Sequence, residues 1–313
     1  MIYKEKEIIF ESFVKWLVLL GIGIIDVIWI CVGDFHFNFR TATAPPVLCS
    51  IFVISAWTCL LWRKQTGLFV LCDTIAQFIL LCGVGGTLSY LVLSTDLPLV
   101  DRYLSDMDYA LGFDWPHFVL WIQAHPYLDL ALQFVYGGWI LEWILVPLAL
   151  CYRNEERVRE LSGAILIAVI ITFAVSSLLP AISAYPYYES LYPALVPEMD
   201  VRDLFGLREG TLRVIDLATM GGLVSFPSFH VAVAVLFSQA IRGKGFATVM
   251  GTIYNIAVIF STLSAGGHYL TDAIGGGAIA AFSIYLYRGI VGYAALRTLG
   301  GPLAPSLDAV IRR

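Results

Sequence analysis

The sequence predicts an all-α membrane protein, a polytopic bundle of about eight spanning helices. Hydrophobic residues make up 59% of the 313-residue chain and charged residues only 14%, whereas a soluble domain is about 45–50% apolar and about 25% charged. The mean hydropathy is +0.80. The apolar residues are also gathered in runs close to the ~20 residues that an α-helix needs to cross a bilayer.

Eight apolar runs qualify as spans. They lie at about 14–33, 44–62, 67–94, 127–150, 161–180, 227–241, 246–265 and 269–293. The run that starts at residue 227 is short, so we expect its helix to extend back through Gly221. The six cysteines lie in or beside these runs without any C-x-x-C pair, which is typical of small buried apolar residues.

The basic residues predict the orientation of the chain. With the N-terminus in the cytoplasm, 14 of the 19 lysines and arginines fall in inside segments, as the positive-inside rule requires. The C-terminus is then also cytoplasmic. Two long segments, 95–126 and 181–226, face the periplasmic, extracellular or lumenal side. In the first, apolar and acidic residues alternate at helical spacing, which predicts an amphipathic helix at the outer interface.

A histidine and an aspartate open the last apolar run. His268 follows the tight turn at Gly266-Gly267, and Asp272 lies four residues further on. Positions four apart share one face of a helix. The carboxylate would then orient the imidazole and stabilise the positive charge that forms when the other ring nitrogen attacks an electrophile. A structural histidine that is capped by its neighbour is the alternative.

A second histidine, His230, opens the run after the 181–226 loop. Ser225 is a plausible N-cap and Pro227 suits a first helical turn, where free backbone N–H groups favour an anion. Ser228 adds a hydroxyl donor. His230 could protonate a leaving alkoxide. Such general acid catalysis typically raises the rate about 10²–10⁴-fold. Two histidines at helix starts on the same outer side favour a catalytic pair over two structural residues.

A phosphate also needs fixed positive charge. Arg202, Arg208 and Arg213 are the arginines of the loop that leads into the first motif, and guanidinium groups match phosphate oxygens well. Among these, Arg208 is the preferred candidate. Pairing with the acidic residues of the same loop is the alternative.

These residues resemble the signature motifs of a known family. Phe-Pro-Ser-Phe-His at 226–230 and Ser261…His268…Asp272 resemble the second and third motifs of the type-2 phosphatidic-acid phosphatase superfamily. Phe229 replaces the usual glycine, Thr262 replaces the usual arginine, and the first motif has no clean match. With these departures, the motifs are closer to the branch that contains inositol phosphorylceramide synthase and its bacterial relatives.

The resemblance implies a fold and a chemistry. Two N-terminal spans (1–66) would precede a six-span catalytic core (67–293) and a cytoplasmic tail (294–313). His268 would form a phosphohistidine, Asp272 would orient it, and His230 would act as acid and then base. Ser228 and the three arginines would hold the phosphate. The implied partner is a membrane lipid substrate; no cofactor, metal or nucleic acid is expected, and the oligomeric state is left open.

The sequence leaves open two reactions for an enzyme and one other class of protein. The enzyme would hydrolyse a lipid phosphate or transfer a phospho-headgroup to a lipid alcohol such as ceramide. A non-catalytic lipid-binding protein or transporter is the rival. Its support is three carboxylates at membrane depth, Asp26, Asp73 and Glu142, because charges there are costly and often mark a proton or ion pathway.

Overall fold

The structure, a computed structural model, describes most of the chain as a bundle of helices. The described ranges are 2–38, 44–189, 191–192, 195, 202–216 and 221–298. Within them the secondary structure is almost entirely α-helical, apart from one pair of three-residue strands. The predicted all-α membrane bundle is therefore confirmed.

Seven helical segments in these ranges are long and apolar enough to cross a membrane. Their helices are α1 (Ile2–Gly33), α2 (Ala44–Leu61), α3 (Thr66–Leu93), α6 (Pro126–Gly138) with α7 (Glu142–Leu150), α8 (Glu155–Leu178), α12 (Phe246–Ser264) and α13 (Leu270–Thr298). A single 3₁₀ turn, Trp139–Leu141, joins α6 to α7, and the three pieces make one span. Seven of the eight predicted runs are thus confirmed as helices of spanning length.

The eighth run forms a shorter helix, α11 (Phe229–Ala240). Its 12 residues extend about 18 Å at 1.5 Å per residue, less than the ~30 Å hydrocarbon core. The predicted extension back through Gly221 is wrong, because residues 221–228 are not helical. The N-cap is Ser228 rather than Ser225: its backbone is extended, and its hydroxyl oxygen accepts the N–H of Val231 at 3.4 Å.

Two other helices begin earlier than their apolar runs. α1 starts at Ile2 rather than residue 14, and α8 starts at Glu155 rather than 161. The side chain of Asn154 caps α8 by accepting the N–H of Arg157 at 3.3 Å. Hydropathy finds the apolar part of a helix, whereas caps and charged turns determine where the helix begins.

The central core is built from α3, α8, α11 and α13, with α1 and α7 packed against them. α2 packs against α3. The start of α11 lies close against α13: a Cβ placed on Gly276 would collide with the carbonyl oxygen of Ser228. This glycine allows the start of α11 to contact the second turn of α13.

The remaining elements lie in the segments that connect the spans. These are α4 (Asp101–Ala110), α5 (Trp115–Gln123), α9 (Ala184–Glu189), α10 (Arg202–Glu209) and the parallel strands β1 (His36–Asn38) and β2 (Val214–Asp216). The amphipathic helix predicted in 95–126 is present as α4, followed by a second helix, α5. The strand pair was not predicted; it ties the end of α1 to the loop that leads to α11, with His36 opposite Val214.

Candidate active site

His268 and Asp272 form a hydrogen-bonded pair at the start of α13. The ring Nδ1 of His268 lies 3.1 Å from Oδ2 of Asp272, and the two side chains are 5% and 0% exposed. A carboxylate can only accept, so Nδ1 carries the proton and Nε2 keeps its lone pair. His268 precedes the first residue of the helix, yet the predicted four-residue pairing is present.

The carboxylate of Asp272 is also held from two other directions. Its Oδ2 accepts the Ser225 hydroxyl and the Tyr269 N–H, both at 3.1 Å. Both donors stabilise the negative charge of a carboxylate that is completely buried. Ser225 is therefore a contact of the aspartate rather than the predicted N-cap.

His230 lies beside this pair, in the first turn of α11. Its ring centre is 6.2 Å from that of His268, with the ring planes at 59°. The rings of Tyr136 and Trp139 pack against its other sides, with centres at 4.9 and 4.4 Å. The fold thus brings the two predicted histidines to one place, from positions far apart in the chain.

The turn before His268 has a conformation that favours glycine. Gly267 has a φ of +62°, and a Cβ there would lie 2.7 Å from the Ser183 hydroxyl and 2.8 Å from the Tyr185 ring. Its carbonyl accepts the Ser183 hydroxyl at 2.6 Å and the Ala184 N–H at 2.9 Å. The predicted sharp turn at this glycine pair is confirmed.

The backbone of His268 itself is fixed on both sides. Its N–H donates to the Thr262 carbonyl at 3.0 Å, and its carbonyl accepts the indole N–H of Trp115 at 3.0 Å. Trp115 opens α5 and is completely buried. The imidazole therefore projects from a peptide whose position is set by two separate elements.

Two carboxylates of α4, Asp101 and Asp108, reach the same turn. The sequence predicts an interfacial helix in this segment and indicates no role for these two residues. Both are buried, on the same face as Leu104 and Ser105, and they accept hydrogen bonds from residues 269–271. Their seven-residue spacing, two turns of a helix, was a signal that could have identified this face.

Burial raises the pKa of the Asp101 carboxyl to about 6, although hydrogen bonds from the Ile182 N–H and the Tyr269 hydroxyl favour its ionised form. Desolvation of the charged form is the dominant cause.

Ser228 joins the two helices of the site. It is completely buried, and its N–H donates to the Asp272 carbonyl at 3.1 Å. Thr262, which stands where the resembled motif has arginine, is also completely buried, and its hydroxyl donates to the Ile259 carbonyl at 2.7 Å.

The predicted arginines make contacts of their own in the outer loops. Arg208 donates to the carbonyls of Thr95 at 3.1 Å and Leu97 at 2.8 Å. Arg213 stacks over the Phe35 ring at 4.7 Å, and Arg202 is the first residue of α10. None of the contacts identified for Arg208 and Arg213 in the described residues involves the histidine pair.

The three carboxylates at membrane depth lie on different helices. Asp73 accepts from the Trp16 indole at 2.8 Å and from Gln77 at 2.7 Å, and Glu142 accepts from Asn255 at 2.9 Å. Oδ1 of Asp26 has no hydrogen-bond partner among the described residues. Within those residues, no group of three or more His, Cys, Asp or Glu side chains is placed to hold a metal ion.

Comparisons with known proteins place this chain in a family. The chain matches no curated protein and no solved structure in these comparisons. The sequence model of the PAP2 superfamily matches residues 102–286, which is more than half of the chain and includes His230, His268 and Asp272. The chain therefore belongs to the PAP2 superfamily.

Proposed function

We propose that this protein is a membrane phosphatase or phosphotransferase that forms a phosphohistidine on His268. Membership of the PAP2 superfamily supports a phosphatase- or phosphotransferase-type function on a lipid phosphate. The observation that carries the mechanism is the geometry of three side chains. His268 is hydrogen-bonded to Asp272 at 3.1 Å, and the His230 ring centre lies 6.2 Å away from its own.

In the first half-reaction, Nε2 of His268 attacks the phosphorus of the lipid substrate. A P–N bond forms and the P–O bond to the leaving alcohol breaks, with its electron pair going to the oxygen. In this step His230 is protonated, with the anionic substrate bound beside it, and gives its proton to that oxygen. Asp272 stabilises the positive charge that develops on the His268 ring.

In the second half-reaction, His230 is neutral and acts as base. It takes a proton from water or from an acceptor alcohol, whose oxygen attacks the phosphohistidine. The P–N bond breaks and His268 recovers its lone pair. Water as acceptor gives hydrolysis, and a lipid alcohol gives transfer.

We assign phosphate binding to Ser228 and the N-terminus of α11. The backbone N–H groups of a helix start, together with the helix dipole, favour an anion. Arg208, Arg213 and Arg202 remain the proposed source of positive charge. To contact a phosphate oxygen, Arg208 would have to break its hydrogen bond to the Thr95 carbonyl, to the Leu97 carbonyl, or to both.

Headgroup transfer of the kind made by inositol phosphorylceramide synthase is the finer proposal. It rests on the motif departures at Phe229 and Thr262. The Thr262 position holds a buried hydroxyl that is bonded within its own helix, so it supplies no cation to the phosphate. Without the arginine of the usual motif, the phosphate contacts would differ from those of the usual phosphatases, which supports the assignment to a separate branch.

The experiment is an acceptor-competition assay on the purified protein in detergent. Phosphatidic acid, a prenyl phosphate and phosphatidylinositol are each offered with and without ceramide, and released phosphate, diacylglycerol and any ceramide product are measured. Phosphate release alone removes the transfer proposal. Wild-type turnover in both His268→Ala and His230→Ala would overturn the phosphohistidine mechanism.

The rival, a transporter or lipid-binding protein without chemistry, receives less support. Two of its three carboxylates, Asp73 and Glu142, are hydrogen-bonded to neighbouring side chains. The same assay separates the two, because a binding protein turns over none of the lipids.

We also propose that the site faces the periplasmic, extracellular or lumenal side, because the basic residues gather at the opposite ends of the spans. A tag at Arg313 tests this orientation. If the tag is labelled from outside intact cells, the C-terminus is not cytoplasmic and the proposed orientation is wrong.

A further inference from the structure

The first turn of α13 is capped by a residue from another helix. Oδ1 of Asp108 accepts the N–H of Thr271 at 2.8 Å and its hydroxyl at 2.7 Å, and Oδ2 accepts the N–H of Leu270 at 2.8 Å. Asp108 is only 1% exposed. A helix start leaves its first N–H groups without partners inside the helix. Here α4, rather than a preceding residue, satisfies two of them.

The bonded residues lie between the two members of the proposed nucleophilic pair. Leu270 and Thr271 are directly flanked by the His268–Tyr269 segment and by Asp272. A movement of this turn therefore moves the imidazole and its carboxylate partner together relative to His230. No other residue of α4 makes a side-chain hydrogen bond to Leu270 or Thr271 in the described part of the chain.

Asp101 holds the preceding residue from the same face of α4. Its carboxylate accepts the Tyr269 hydroxyl at 3.2 Å and the Ile182 N–H at 3.0 and 3.1 Å. Tyr269 in turn donates its N–H to Asp272. Asp101 thus holds residue 269, and Asp108 holds residues 270 and 271.

The charge of Asp108 has a second consequence. Two helix N-termini, those of α11 and α13, lie at this site, and each would attract an anion. The carboxylate of Asp108 occupies the start of α13, and a phosphate there would meet a negative charge. The start of α11, at Ser228, is the one left for the substrate.

We propose that Asp108 is a positioning residue for the nucleophile: it sets the His268–Asp272 pair at the attack distance from a phosphate bound at α11. The proposal rests on the phosphohistidine function. A displacement of about 1 Å in a reacting group can lower a rate about 10²-fold, whereas substrate binding through α11 does not depend on the cap.

The test compares Asp108→Asn with a matched control, Asp106→Asn, on the exposed face of the same helix. Turnover of a short-chain phosphatidic acid is measured in detergent micelles, together with thermal unfolding. We expect Asp108→Asn to lower kcat about 10²-fold with KM within about twofold, and Asp106→Asn to match the wild type. A wild-type kcat in Asp108→Asn would overturn the proposal, as would a rise in KM with unchanged kcat.

A gentler variant covers the possibility that Asp108→Asn does not fold. Thr271→Val removes one of the three hydrogen bonds and keeps the carboxylate. We expect it to lower kcat about 3–10-fold, the loss that matches about 1 kcal/mol for one hydrogen bond, at unchanged KM. A wild-type kcat for this variant would contradict the proposal. In a folded double variant the two effects should be less than additive, because both act through one contact; full additivity would contradict it.

His268→Ala, measured beside these variants, distinguishes a failure of the phosphohistidine function from a failure of the positioning role alone. If it retains wild-type turnover, the phosphohistidine function itself is wrong, whatever Asp108→Asn does. If it is inactive while Asp108→Asn turns over like the wild type, the function stands and only the positioning role is removed.

Discussion

The imidazole rings of His230 and His268 lie 6.2 Å apart, centre to centre, at the starts of two different helices. In the proposed mechanism, the His268 ring attacks a phosphorus and the His230 ring protonates the oxygen that departs. These two proposed roles should respond differently to the substrate.

The first prediction concerns the leaving group. A general acid matters most when the leaving oxygen is strongly basic, as in an alkyl phosphate. We expect His230→Ala to lower kcat about 10²–10⁴-fold on phosphatidic acid, but much less on p-nitrophenyl phosphate, whose leaving group departs without a proton. His117→Ala is the control, because His117 is exposed and pairs with Asp114. An equal loss on both substrates would contradict the acid role.

The second prediction concerns Arg208. Arg208→Gln keeps a donor for the carbonyls of Thr95 and Leu97 but removes the charge. If the guanidinium binds phosphate, kcat/KM should fall about 10–100-fold, since a hydrogen bond to a charged group contributes about 1.5–3 kcal/mol. Arg102→Gln, exposed on α4, should leave kcat/KM unchanged. Wild-type kinetics in Arg208→Gln would restrict this arginine to its loop contacts.

The third prediction concerns the backbone of the turn. Gly267→Ala places a side chain at a φ of +62° and within 2.8 Å of neighbouring atoms. We expect a loss of about 1–3 kcal/mol in unfolding free energy and a lower Tm in detergent. Gly277→Ala is the control, because a Cβ there meets no atom within 4 Å and alanine favours a helix. A wild-type Tm for Gly267→Ala would contradict the strain described at this turn.

The fourth prediction concerns pH. Burial raises the pKa of Asp101 in the folded protein to about 6 from 3.8, so the folded state binds this proton more tightly than the unfolded state. The contribution of Asp101 to stability is therefore greatest below pH ~4, falls between pH ~4 and ~6, and is constant above.

Asp101→Asn should remove that fall, because an amide does not titrate. The measurement is Tm in detergent from pH 4 to 7, compared with Asp106→Asn, which should retain the wild-type slope. An unchanged slope in Asp101→Asn would show that another group causes it.

Much of the site could be predicted from local sequence because its parts are local. His268 and Asp272 are one helical turn apart, and Ser228 lies two residues before His230, so their relationships need little tertiary information. The helices were predictable for a related reason: a helix bonds all its backbone groups within one segment, so a spanning helix appears in the sequence as a single long apolar run. The residue at which α11 begins could not be predicted, because the capping role of Ser228 depends on its extended backbone.

The roles of Asp101 and Asp108 could not be predicted in the same way. Their partners at Ile182 and 269–271 are far away in the chain, and an interfacial helix normally turns its carboxylates to water. The arginines show the same limit, since the contacts of Arg208 with the carbonyls of residues 95 and 97 carry no sequence signal.

The sequence by itself determined the class of protein, the membrane helices and the side chains of the histidine motifs, because hydropathy and spacing along one helix are local properties. Only the tertiary structure decided that His230 and His268 lie side by side and that α4 caps α13. These contacts join segments separated by many residues, and packing of the bundle, rather than any local pattern, brings them together.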